Sequence, residues 1–173
     1  MKNEELLILV DENDKETGLK EKLSVHRDGD LHRALSVFIF DPTGKMLLQR
    51  RALEKYHSGG LWTNACCSHP KPEEPVKTAA VRRLKEEMGL RCDNLQRSFS
   101  FKYKAQVDHG LIEHEFDHVF IGVTDQKPQP NPAEVCEYSY LSLSEIEKDL
   151  QLHPEKYTVW FKLIFDRIRD IRK

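Results

Sequence analysis

Glu74-Pro75-Val76-Lys77-Thr78-Ala79-Ala80-Val81-Arg82-Arg83-Leu84-Lys85-Glu86-Glu87-Met88-Gly89-Leu90 is the stretch whose pattern fixes the fold. Val76, Ala80, Leu84 and Met88 recur every four residues, so one helix face is apolar and turned to a core. The charges take another side, with Arg82 one turn before Glu86 and Arg83 one turn before Glu87. The pattern predicts a helix over residues 75–88, and Gly89 stands just past its end, where a C′ residue belongs. Immediately upstream, Trp62-Thr63-Asn64-Ala65-Cys66-Cys67-Ser68-His69-Pro70 sets two thiols beside a histidine. A thiol exchanges a proton near neutral pH if a cation lowers its pKa, and the imidazole suggests where such a cation is held. In an extended segment Cys67 and His69 share one face and Cys66 takes the other.

Working outward, Leu6 to Val10, Ala34 to Phe40, Met46 to Gln49, Phe99 to Lys104 and Glu113 to Val123 read as strands. Asp41-Pro42-Thr43-Gly44 is a hairpin-type loop. Ser144 and Glu147 have capping-box spacing for a short helix, and Val159, Leu163, Ile164, Ile168 and Ile171 mark an amphipathic C-terminal helix. The 173 residues suit one domain over positions 1–173. A net charge of −2 with scattered basic residues gives no nucleic-acid signature. The early apolar run Leu6 to Val10 is too short and too acid-flanked for a leader or a membrane span, so a cytoplasmic protein without membrane association is expected. No apolar stripe beyond the core faces stands out, which makes a monomer the expectation. The four cysteines lack C-x-x-C spacing and read as free thiols, with Cys92 and Cys136 as buried apolar groups.

In Glu113-His114-Glu115-Phe116-Asp117-His118 the strand period of two puts Glu113, Glu115 and Asp117 on one face. Carboxylates sharing a face repel one another. A metal ion relieves that repulsion and is matched by the imidazoles of His26, His32 and His69. A solvated strand edge is the plain alternative; a thiol beside an imidazole and a Glu-rich helix in the same short chain favour the metal.

The spacing Glu74, seven residues, Arg82, then Glu86, Glu87 and Gly89 resembles a Nudix box. Two positions depart from it: Ser68 stands for the box's first Gly, and Arg83 for the Glu after Arg. A closer resemblance rests on His26 to His32, Arg50-Arg51-Ala52-Leu53, Trp62-Thr63-Asn64 through Cys67, His69 and Pro70, Ala80-Val81-Arg82-Arg83, Tyr103, and Glu113 with Glu115. In order along essentially the whole chain, these segments resemble the type 1 isopentenyl diphosphate isomerases, which have the Nudix fold. The fold implied is α+β, a Nudix-like α/β/α sandwich with mixed sheets.

The resemblance implies proton transfer to and from an alkene by Cys67 and Glu115, with Tyr103 hydrogen-bonded near Glu115. It implies a divalent ion, Mn²⁺, Mg²⁺ or Zn²⁺, held by His26, His32, His69, Glu113 and Glu115. For the diphosphate of a small-molecule substrate it implies Lys22, Arg51, Lys55 and Arg83, and a bridging Mg²⁺ on Glu87. Trp160 matches an aromatic lid over the cation, although an aromatic opening an amphipathic helix equally suits core packing. Two other functions compete with this one. A Nudix pyrophosphohydrolase predicts Glu at position 83, and a structural zinc module predicts C-x-x-C spacing; neither is present. His57, His109 and His153 read as surface loop residues, His114 points away from the Glu face, Arg50 reads as a structural ion pair, and Arg82 with Glu86 as a helix-surface pair.

Overall fold

A computed structural model describes residues 5–172. The first hairpin, β1 (Leu6–Val10) with β2 (Glu16–Glu21), leads into the short helix α1 (Lys22–Asp28). Next come β3 (His32–Phe40), β4 (Met46–Arg51) and two short strands, β5 (Trp62–Thr63) and β6 (Cys66–Ser68). The quoted stretch forms α2 (Val76–Met88). The long strands β7 (Gln96–Gln106) and β8 (Ile112–Val123), the strand β9 (Val135–Leu141), α3 (Leu143–Leu152) and α4 (Val159–Ile171) complete the chain.

The strands form one nine-stranded mixed sheet. Its parallel pair is β3 with β8, in register from His32 beside Glu115 to Phe40 beside Val123. On its other edge β3 meets β1 at His32, β6 over Leu35 to Val37 and β4 at Phe40, so three short partners share one long strand and the sheet curls. Alternation along β3 then makes two cores. Leu35, Val37 and Ile39 face α2 through Ala79, Ala80, Leu84 and Met88. Phe38 and Phe40 face α3 and α4 through Ile146, Trp160, Phe161, Ile164 and Ile168. The result is the expected α+β sandwich, with helices on both faces of the sheet. Leu84 is 1% exposed, a burial contributing about 1.5–3 kcal/mol.

The expected α2 is present but begins at Val76, after Pro75. Gly89 closes it at φ 64°, and its N–H bonds to Lys85 O. A Cβ there would lie 2.6 Å from Gln129 O, so both backbone angle and space require glycine. At the opposite end Arg82 grips Glu74 with two bonds of 2.7 and 2.8 Å, tying the preceding loop to the helix. The capping box lies two residues earlier than expected: Ser142 and Glu145 bond reciprocally and α3 starts at Leu143. Among the described residues no helix is long and apolar enough to cross a membrane.

Candidate active site

The polar end of the α4-facing sheet surface is built from four segments. Glu21 caps α1 by accepting from Leu23 and Ser24 N–H at 2.8 Å each, which fixes a helix of only seven residues and buries His26. His26 Nδ1–H donates to Lys22 O at 2.7 Å, and His32 Nδ1–H donates to Asp30 O at 2.9 Å. Both bonds leave Nε2 without a proton. Those nitrogens face carboxylate oxygens: His26 Nε2, which the Tyr56 hydroxyl approaches at 3.3 Å, lies 3.2 Å from Glu113 Oε1, and His32 Nε2 lies 3.6 Å from Glu115 Oε1 and 3.9 Å from Glu113 Oε2. His69, just beyond β6, brings Nε2 to 3.2 Å from Glu115 Oε1.

Acceptors facing acceptors in a buried site call for a cation. His32 Nε2 and Glu113 Oε2 are buried without a hydrogen-bond partner, the state a coordinating atom is left in when protein groups alone are counted. The backbone carbonyls behind His26 and His32 do what outer partners of metal-bound imidazoles do: they set the tautomer and aim the ring. His26, His32 and His69 bring ligand atoms within 4.8 Å of one another, as do His32, Glu113 and Glu115. These residues fit a divalent ion. Burial lowers the His69 imidazole to about 3, keeping it neutral as a ligand must be. Burial would also lower His26, but the Glu113 carboxylate outweighs it and raises that imidazole.

Cys67 sits on the same sheet face, with its side chain in the pocket, while Cys66 points into the opposite core. The Cys67 thiol donates to Asn64 Oδ1 at 3.0 Å and accepts from Trp160 Nε1–H at 3.1 Å. Asn64 is itself clamped, donating to Val37 O and Cys66 O and accepting from Thr63 Oγ1 at 2.9 Å. Thr63 Oγ1 in turn accepts from Thr158 Oγ1 and Trp160 Nε1, both at 3.0 Å. The thiol therefore has a fixed direction. Burial pushes it up to about 12, because desolvation and the Asp117 carboxylate outweigh the Arg51 charge. Tyr103 O–H donates to Glu115 Oε2 at 2.7 Å.

A narrow pocket of about 40 Å³ joins Cys67, His69, Tyr103, Glu113, Glu115 and Trp160 to Lys22, Arg51, Lys55 and Arg83. An adjoining depression continues outward along Lys71 and Arg82. Of the residues named from the sequence, Glu87 alone among the cation-end candidates lies behind this surface. Its Oε1 accepts from Arg83 at 2.7 Å and its Oε2 from Gln49 at 2.9 Å. Trp160 belongs to the α4 core and also lines the pocket.

Two sequence expectations are corrected, and one pair of residues enters that the sequence did not mark. His57 is 2% exposed rather than on the surface, because Arg51 draws the loop inward through bonds of 3.1 Å to His57 O and Ser58 O. Its position two residues past Lys55, before Gly59-Gly60, was the one available signal. Cys136 is exposed rather than buried, since it occupies the outer side of β9. Asn64 and Thr63 had no assigned role, and neither spacing nor residue type reveals a clamp closed by Trp160 and Thr158 from α4 and the turn before it.

A nine-stranded curled sheet flanked by helices, with its charged pocket beside a Glu/Arg-rich helix, defines a Nudix protein, and residues 30–161 match the NUDIX domain. The fold is shared with a crystal structure from Deinococcus radiodurans at a TM-score of 0.75 and 17% identity, covering 94% of this chain and 98% of that one. An isopentenyl-diphosphate Delta-isomerase of Pectobacterium atrosepticum is 56% identical over 95% of this chain and 91% of its own length. Isopentenyl-diphosphate Delta-isomerase 2 of Aromatoleum aromaticum is 48% identical over 98% of this chain and 89% of its own. The chain belongs to the isopentenyl-diphosphate Delta-isomerase family of Nudix proteins.

Proposed function

We propose that this chain interconverts isopentenyl and dimethylallyl diphosphate by adding a proton to one end of the alkene and removing one from the carbon on the other side of the tertiary centre. The observation that carries the reading is one pocket holding an aimed thiol, a Tyr-bonded carboxyl and four cationic side chains. An unactivated alkene is a very weak base, so the proton must come from a positioned acid in a site shielded from water. Cys67 and Glu115 are the two groups that exchange protons with the substrate, each giving in one direction what it takes in the other. Asn64 and Trp160 hold the sulfur on its line. The Trp160 ring also offers a π face to the tertiary cation.

Tyr103 keeps one Glu115 oxygen fixed while the other faces His69 and His32. His26, His32, His69, Glu113 and Glu115 would hold a divalent ion, Mn²⁺, Mg²⁺ or Zn²⁺, whose charge would offset the two carboxylates and bias the proton affinity of Glu115. Lys22, Arg51, Lys55 and Arg83 would take the diphosphate, with Glu87 the residue to hold a bridging Mg²⁺. Arg83, in place of the box Glu, supplies a cation where a hydrolase places a metal ligand. The test is incubation of purified protein with isopentenyl diphosphate and Mg²⁺. Acid-labile allylic diphosphate without phosphate release is expected; released phosphate, or no conversion, sinks the reading.

A further inference from the structure

We propose that His57 is a ligand of the ion at the histidine–glutamate site, bound on the Glu113 Oε1 side together with His26. The assignment rests on the reading that this cluster holds a divalent ion. His57 Nε2 lies 2.5 Å from Glu113 Oε1, both groups being almost fully buried. Despite that approach, Nε2 is a buried atom without an aligned hydrogen-bond partner. A hydrogen bond needs that alignment. Two atoms ligating one ion at about 2.1 Å need no such alignment and stand about 3 Å or more apart, so the pair opens slightly to admit the ion. His26 Nε2, 3.2 Å from the same oxygen and 3.3 Å from the Tyr56 hydroxyl, is the third donor, and the ligand atoms of His26, His57 and Glu113 lie within 4.8 Å of one another.

The ring is held in place from three directions. Arg51 donates to His57 O and Ser58 O, and Ser58 N–H donates to Asp108 Oδ1 at 2.6 Å from the turn between β7 and β8. Ser58 Oγ lies 3.0 Å from His57 Nδ1, so the hydroxyl can accept the Nδ1 proton and leave Nε2 bare. Ser58 adopts φ 53°, a left-handed conformation unusual outside glycine, which persists only when its surroundings impose it. The edge of the His57 ring meets Trp160 at 5.9 Å between centroids. A fourth imidazole thus links the ion to the aromatic wall of the alkene pocket.

The experiment loads the full chain with Zn²⁺ and reads affinity by chelator competition and imidazole number by X-ray absorption, for wild type, His57→Ala, His57→Gln and His26→Ala. Four imidazoles in wild type, three in His57→Ala, and an affinity loss of about tenfold or more are expected. Weaker binding with an unchanged count would make His57 an outer-sphere partner of Glu113 and overturn the assignment, as would unchanged affinity. If His26→Ala weakens binding and His57→Ala does not, the His57 assignment alone fails; if neither does, the metal-site reading fails with it. Should His57→Ala not fold, His57→Gln and the wild-type count of four against three decide.

Discussion

Cys66 and Cys67 are adjacent in β6, yet one lies on a dry sheet face and the other on a wired one. Cys66 is 0% exposed among Leu35, Val37, Ala80 and Leu84, where its thiol is one more apolar volume. Cys67 meets Asn64 and Trp160 within 3.1 Å, with the hydroxyls of Thr63 and Ser36 at 3.8 and 3.9 Å. Burial raises both thiols, so desolvation does not distinguish them. Direction does. One residue of alternation decides whether a buried thiol packs or is aimed, and reactivity here is a matter of which groups surround the sulfur rather than of its acidity.

The largest test of that contrast removes the ion from the wired face. Exhaustive chelation should abolish turnover and readdition of a divalent ion should restore it; full activity in metal-free protein would remove the site from the chemistry. Next, Cys67→Ser and Glu115→Gln should each lower kcat by about 10²–10⁴-fold, the range for one general acid or base. Near-normal kcat in Cys67→Ser would erase the distinction between the two cysteines. A smaller effect is expected from Arg83→Glu, which should raise KM about tenfold or more by turning one charged contact into a repulsion, with no gain of phosphate release. An unchanged KM would leave Arg83 as a partner of Glu87 only. Smallest of all, Cys66→Ser should leave kcat within about twofold while lowering stability by about 1–3 kcal/mol, the cost of a buried unpaired hydroxyl. Chemical denaturation and steady-state rates on the same preparation would separate the two readouts. In an alkylation time course at pH 8, exposed Cys136 should be modified before Cys67, whose thiol burial pushes up.

The elements legible in the sequence are those that carry their own period. α2 spans thirteen residues with an apolar row and a glycine stop, and β3 and β8 are long enough to show which positions alternate. α1 is seven residues long and capped by Glu21 rather than by Ser, Thr, Asp or Asn, so neither length nor cap signals it. β5 and β6 span two and three residues and exist because β4 and β3 offer open edges. The shifted capping box has a local cause: Ser142-Leu143-Ser144-Glu145-Ile146-Glu147 satisfies the spacing twice, and the earlier register sends Ile146 into the core. In the pocket, residues in Glu-x-Glu or Cys-x-His spacing were visible because a strand puts them on one face. His57 and Asn64 were not, since what places them is Arg51, Asp108, Thr158 and Trp160, all distant in sequence or in another element.

Arg83 has one more consequence. Its guanidinium bonds Glu86 and Glu87 at 2.7 Å each and Glu134 at 3.3 Å, and Glu134 also holds Lys55. At rest these charges close on themselves, a loop of current with no free terminal. On the proposed reading a diphosphate would reach Arg83 and Lys55 by exchange, displacing Glu86, Glu87 and Glu134, whereas Arg51, which bonds only carbonyls, would meet it with an unpaired charge. Four cations line the pocket, yet titrating inorganic diphosphate against added salt should show a shallower dependence than four unpaired charges would give. Two of those four cations are spoken for by carboxylates of the helix and the loop before β9, so they answer to an arriving anion only as fast as those carboxylates let go.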